Sequence, residues 1–206
     1  MTGMYPTSGA TGTALLEGLR DPANHDAWAE LVERYRPLLV GFAERTGFPG
    51  ADAEDVAQLV LIELARSYAS YDRSKGRLRQ WLFGIAKNQI ANCKRRRAPE
   101  HTPQRDTRTT AFFDRLPCAG DFERAWQTEW DRYVMERCLD AVREEVTPQT
   151  MEAFHQFAVL ARSAADVAQE LGITENAVFG AKRRVLTRVR ELVVEIEQNE
   201  ETRPCR

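Results

Sequence analysis

The sequence predicts an all-α protein: two small helical domains joined by a flexible linker, the C-terminal one a helix-turn-helix. Three observations carry this reading. Apolar residues recur at three-and-four spacing through most of the 206 residues. The periodicity lapses over PEHTPQRDTRTTAFFDRLPCAGD (99–121), a stretch of Pro, Thr, Arg and Gly that reads as a linker. Near the C-terminus, a short capped helix, a glycine and a second capped helix follow one another. The boundaries expected are a frayed segment over 1–20, a first domain over 21–98, the linker over 99–121, a second domain over 122–197 and a tail over 198–206.

In the first domain, Asn24 or Asp26 is expected to cap a helix carrying Trp28, Leu31, Val32, Tyr35, Leu38, Leu39 and Phe42, with a kink or short break at Pro37. Gly47-Phe48-Pro49-Gly50 reads as a turn. ADAEDVAQLVLIELARSY follows, with Asp52 as the expected N-cap and Glu54 and Asp55 in the first turn, where carboxylates suit the helix dipole. Val56, Val60 and Leu64 form its apolar stripe, and Asp55, Gln58, Leu59 and Ile62 lie off it. After a loop containing YDRSKG comes GRLRQWLFGIAKNQIANCKRRR (76–97), around which the rest of the chain is organised. As a helix it puts Leu78, Trp81, Leu82, Ile85, Ala86, Gln89 and Cys93 on one side and Gln80, Phe83, Lys87, Ala91 and Lys94 on the other. One face suits a core; the other, running out into Lys94-Arg95-Arg96-Arg97, suits a polyanion. A solvated basic helix end is the plainer reading of that run taken alone.

In the second domain, Trp126, Trp130, Tyr133, Val134, Cys138, Leu139 and Val142 predict a helix in which the tryptophans pack rather than stack on bases. Thr147-Pro148 opens another, with Met151, Phe154, Ala158 and Ala161 on its apolar face; His155, alone on that helix, is given no role. Ser163-Ala164-Ala165-Asp166 is a capping box, Gly172 a tight turn, Ile173 a buried plug and Thr174 the cap of the last helix. That helix buries Val178, Ala181, Val185, Val189 and Leu192 and shows Glu175, Asn176, Phe179, Gly180, Arg183, Arg184 and Thr187 outward. Its first residues suit the major groove and its arginines suit phosphates.

Composition narrows the classes. Hydrophobic residues make up 43% and the net charge is −2, so a nucleic-acid site must come from local segregation of charge. Asp52, Glu54, Asp55 and Glu63 form an acidic stretch, and Lys94–Arg97 and Lys182–Arg190 are basic. Cys93, Cys118, Cys138 and Cys205 form no CxxC pair and have no histidine at metal-ligand spacing, so reduced thiols and no metal are expected. The first residues lack the basic start and apolar core of a signal peptide, and no run reaches the ~20 apolar residues of a membrane span. A cytoplasmic location, no cofactor and no catalytic activity are expected: His25, His101 and His155 are scattered, and no nucleophile–base pair or phosphate-cradling glycine loop is evident.

The chain resembles the extracytoplasmic-function sigma factors, the minimal members of the sigma-70 family. The resemblance runs from about Trp28 to Leu192 and rests on DAEDVAQ (52–58), KGRLRQWLFGIAKNQIANCKRRR (75–97) and SAADVAQELGITENAVFGAKRRVLTRVREL (163–192). It implies that the first domain is sigma domain 2, whose acidic helix binds the clamp coiled coil of core RNA polymerase and whose basic helix grips and opens the promoter −10 element. The second is then sigma domain 4, whose helix-turn-helix reads the −35 element. Carried over, Asp52, Glu54, Asp55 and Gln58 face polymerase. Trp81, Lys87, Asn88, Lys94, Arg95, Arg96 and Arg97 lie at or behind the melted strand. Thr174, Glu175, Asn176, Phe179, Arg183 and Arg184 belong to the helix that meets the −35 duplex. An anti-sigma factor or other regulator is a further partner of this reading.

The chain departs from the common family pattern at Leu59, where many members have glutamate; at Asn92, where many have an acid; and at Phe179-Gly180-Ala181, where many have Lys-Ser-Arg. Three other readings stand beside the sigma factor. A helix-turn-helix regulator acting without polymerase needs neither the acidic helix nor the Trp81–Arg97 stretch. An interaction protein using only its first domain makes the recognition helix dispensable. A small helical nuclease needs a second cluster of metal-binding carboxylates beyond Asp52, Glu54 and Asp55.

Overall fold

The computed structural model describes residues 12–97 and 119–201, the side chains of the last helix through Gln198. Among the described residues all regular structure is helical. They fall into two compact units, residues 13–133 and 134–201. The expected linker lies outside the described residues except for 119–121, and so does the N-terminal segment up to residue 11.

The first unit opens earlier than expected. Thr13–Gly18 form a short helix, α1, within the segment read as frayed. Leu15 and Leu19 are buried, and the Tyr68 hydroxyl donates to the Leu16 carbonyl at 2.8 Å, so tertiary contacts hold a segment too short to be helical alone. α2, His25–Arg45, is capped by Asn24, whose side chain accepts the Ala27 N–H. Pro37 does not break it: α2 is assigned as one helix through that position. Burial of Tyr35, Leu38, Leu39 and Phe42 around the proline outweighs the lost hydrogen bond.

α3 spans Ala51–Ser67, and its cap corrects the expectation for Asp52. Gly50, at φ 50°, occupies the N-cap with no side-chain bond, which leaves Asp52 inside the first turn and free to reach elsewhere. Val56, Val60 and Leu64 are buried as expected. α4, Leu78–Arg97, buries Leu78, Leu82, Ala86 and Ile90, one residue every four. Ile90 was absent from the predicted apolar face, and Trp81, Ile85, Gln89 and Cys93 are only half-buried.

α5 is a single helix over Ala119–Glu145. Residues 119–133 belong to the first unit, although the pattern over 122–133 predicts the second domain. Phe122, Trp126, Trp130 and Tyr133 are buried there, and Trp126 packs edge-on against Phe42 at 5.1 Å.

The second unit takes Val134, Cys138 and Val142 from the remainder of α5. α6, Pro148–Phe154, is capped by Thr147, and the chain then winds through one π-helical turn over His155–Val159. Ala161 ends it at φ 55°. Here sequence reasoning missed a polar knot. Buried Gln156 donates to Glu152 and Glu170 and accepts from Arg162, which also pairs with Glu170 at 2.6 Å. Those bonds hold the Glu170 carboxyl below its usual range. α7, Ala164–Leu171, starts on the predicted Ser163 cap. α8, Glu175–Glu201, starts after Thr174, whose hydroxyl accepts the Ala177 N–H. The two helices close on a small core of Ala153, Val167, Ala168, Val178 and Ala181, with Ile173 packed against it. Glu145 of α5 and Arg188 of α8 form an ion pair at 2.7 and 3.0 Å.

Gly172 makes the turn in the left-handed region, at φ 63° and ψ 36°. Nothing lies within 4 Å of where its Cβ would stand, so the cost of a side chain is backbone strain alone. Gly172→Ala is expected to destabilise the protein by about 1–2 kcal/mol, read from denaturant unfolding. An unchanged midpoint would show that the turn does not need the left-handed residue.

Candidate nucleic-acid interface

α4 presents four different sides. One is the core stripe already described. On one flank, half-buried Trp81 lies against Tyr71 at 5.0 Å and Tyr68 at 6.1 Å, and Trp28 meets Tyr68 edge-on at 5.6 Å. Burial pushes the Tyr68 phenol up to about 12. Trp81 is thus part of an aromatic wall that braces the loop before α4.

The other flank corrects the predicted outer face. Phe83, Lys87 and Lys94 do not look into open solvent; residues 119–133 of α5 lie against them. Phe83 packs on Trp126 at 5.4 Å, Lys87 pairs with Glu123 at 3.1 Å, and Lys94 sits over the Phe122 ring at 5.6 Å. Partial burial lowers the pKa of the Lys94 ammonium. One turn earlier, Arg79 lies 4.3 Å over Trp130 and donates to Gln127 at 2.5 Å. The solvent side of α4 is the remaining one, where Gln80, Asn88, Arg95 and Arg96 are exposed. It is turned by about one residue from the side expected. Arg95 donates to the Asn92 side chain at 2.5 Å, so Asn92 orients an arginine here.

The structure joins two residues expected to serve different partners. Arg97, at the end of α4, grips Asp52, at the start of α3, through bonds of 2.6 and 3.0 Å, and its guanidinium lies 4.9 Å over the buried Phe48 ring. The arginine's hydrogen bond holds the Asp52 carboxyl below its usual range, and the same bond raises the arginine's pKa. Glu54 pairs with Arg36 at 2.8 Å. Asp52 and Glu54 therefore have internal partners. Asp55 and Gln58 are exposed, and beside them Leu59 and Ile62 stand 39% and 40% exposed. This face of α3 is apolar and acidic rather than purely acidic.

In the second unit, Thr174, Glu175, Asn176, Phe179, Arg183 and Arg184 are all exposed, because burial of Val178, Ala181 and Val185 fixes the rotation of α8. Phe179, 49% exposed, touches Phe157 edge-on at 5.3 Å, and Lys182 lies 5.2 Å over that same ring. An exposed ring flanked by amide, carboxylate and guanidinium groups suits the edges and backbone of a duplex. Among the described residues no helix is long and apolar enough to cross a membrane.

Comparison with known proteins bears on the first unit directly. Residues 31–100 match the family Sigma-70 region 2, which takes in α3, α4 and most of α2. Over that stretch the chain is similar to sigma-70 region 2. It is 32% identical over 88 residues to the ECF RNA polymerase sigma factor RpoE of Cereibacter sphaeroides, a match covering 42% of this chain and 49% of that one. The matched stretch thus spans about half the length of that relative. It is 28% identical over 184 residues to the RNA polymerase sigma factor CarQ of Myxococcus xanthus, covering 88% of this chain and 97% of CarQ. A solved structure of CnrH in complex with the cytosolic domain of CnrY is similar at 19% identity, over 87% of this chain and 95% of that one, with a TM-score of 0.35. The region 2 match ends just past Arg97, so the four-cation run and its Asp52 partner both fall inside it.

Proposed function

We propose that the chain is a sigma factor that binds core RNA polymerase and directs promoter-specific initiation through −10 and −35 elements. The observation that carries this reading is the placement of two unlike surfaces within the 31–100 match: the exposed Asp55–Gln58–Leu59–Ile62 face of α3 and the exposed Asn88–Arg95–Arg96 side of α4. The first suits the basic clamp coiled coil of polymerase, and the second suits a melted promoter strand. In this reading the Thr13–Tyr133 unit carries the sigma domain 2 surfaces and the unit from Val134 onward acts as sigma domain 4. The helix-turn-helix of α7 and α8 reads the −35 duplex through Glu175, Asn176, Phe179, Arg183 and Arg184. The role requires no enzymatic activity of the chain's own and places it in the cytoplasm, with an anti-sigma factor or comparable regulator as a further partner.

The test separates the two partners. Arg183→Ala is expected to weaken binding to promoter duplex about 10-fold at physiological salt, the loss of one good side-chain contact, while leaving polymerase binding unchanged. Equal promoter binding by mutant and wild type would remove this side of α8 from the interface. Promoter binding without any polymerase binding by the wild-type chain would favour a plain helix-turn-helix regulator.

A further inference from the structure

We infer that the first half of α5, residues 119–133, competes with single-stranded nucleic acid for one flank of α4 and leaves it when a strand binds. The inference rests on the sigma-factor reading above, because that reading assigns Lys87 and Lys94 to the strand.

The chemistry of the segment mirrors that of a strand. A nucleic acid offers α4 anionic oxygens for its cations and flat rings for its aromatic and guanidinium groups. Residues 119–133 offer the same set in the same places. The Glu123 carboxylate is 3.1 Å from the Lys87 ammonium, the Phe122 ring lies under Lys94, the Trp126 ring packs on Phe83 and the Trp130 ring lies under Arg79. While the segment is in place, these α4 side chains contact protein and not DNA.

The contact is also built with a reversible seam. Amid its aromatic rings lies the Glu129 carboxylate, only 3% exposed, paired with Arg45 of α2 and with Arg132. A buried charge recovers its desolvation cost only while its partners stay in place, which makes such a pair weak glue. The Lys87–Glu123 pair, half-buried at the lysine and half-exposed at the glutamate, is still reached by salt. The seam also leans on Gly41: a Cβ there would meet the carboxylate end of Glu129 and the guanidinium end of Arg132, so that ion pair must shift.

Gly41 lies on α2, is not among the residues assigned to DNA, and provides the test. Gly41→Ala raises the intrinsic helix preference of α2, so an opened segment in this variant does not come from a weakened α2. The probe is a fluorescein-labelled 20-nucleotide oligo-dT, titrated into the full chain at low salt and followed by anisotropy. Gly41→Ala and, separately, Glu123→Gln are expected to tighten binding at least 3-fold over wild type. Equal or weaker binding by both variants overturns the inference. A second measurement needs no variant: amide hydrogen exchange of the wild-type chain with and without the strand. Exchange across 119–133 is expected to accelerate when the strand binds, and unchanged or slower exchange there also overturns the competition. The sigma-factor reading is tested separately, by promoter-directed transcription with core polymerase, so the two fail distinguishably.

Discussion

Asp55→Lys is expected to lower affinity for core RNA polymerase about 100-fold, because it sets a cation against the basic clamp coiled coil, and like charges brought together at an interface cost several kcal/mol. Asp52 and Glu54 are poorer targets. Each already has an arginine partner in the chain, so their substitution mixes lost docking with lost internal pairs. Asp55 stands at the exposed edge of the face that also shows Leu59 and Ile62. Asp55 is the fifth residue of α3, past the first turn, so a lysine there opposes the helix dipole by less than about 1 kcal/mol and the fold is retained, which circular dichroism checks. Binding is measured with immobilised core enzyme. Wild-type affinity in the mutant would remove α3 from the docking surface.

Leu82→Ala is expected to destabilise the protein by about 2–5 kcal/mol. Leu82 is fully buried at 0% exposure, in the second turn of α4 and in the stripe with Leu78, Ala86 and Ile90. Total stabilities of about 5–15 kcal/mol make this a large fraction, so polymerase and DNA binding through the first unit should both fall as it unfolds. Denaturant unfolding measures the loss. A cost below about 1 kcal/mol would mean that the site collapses around the missing atoms and that α4 is not anchored there.

Much of this was legible in the residues, and the parts that were not share a cause. Periodicity and cap chemistry are local, so the stripe of α3, the Ser163 cap, the Gly172 turn and the outward side of α8 follow from spacing alone. The outer side of α4 does not. Its rotation depends on which element covers it, and Phe83, Lys87 and Lys94 are covered by residues from beyond the linker. The one signal available was Phe122, four residues before Trp126 and in register with Trp130 and Tyr133, which extends the aromatic stripe of α5 toward its N-terminus. α1 was missed because six residues carry too little periodicity to read, and their helix depends on burial of Leu15 and Leu19. Asp52 looked like a cap because it precedes an acidic first turn. Gly50 takes that place by its backbone, and the freed carboxylate reaches Arg97, forty-five positions away. Ion pairs across such separations leave no local pattern.

The most direct measurement is transcription in vitro, with core bacterial RNA polymerase, the full chain and a library of promoter sequences. A sigma factor yields transcripts from a defined subset sharing upstream and downstream elements, and none without the chain. Stable DNA binding by the chain with no polymerase binding and no transcript would contradict the sigma-factor role.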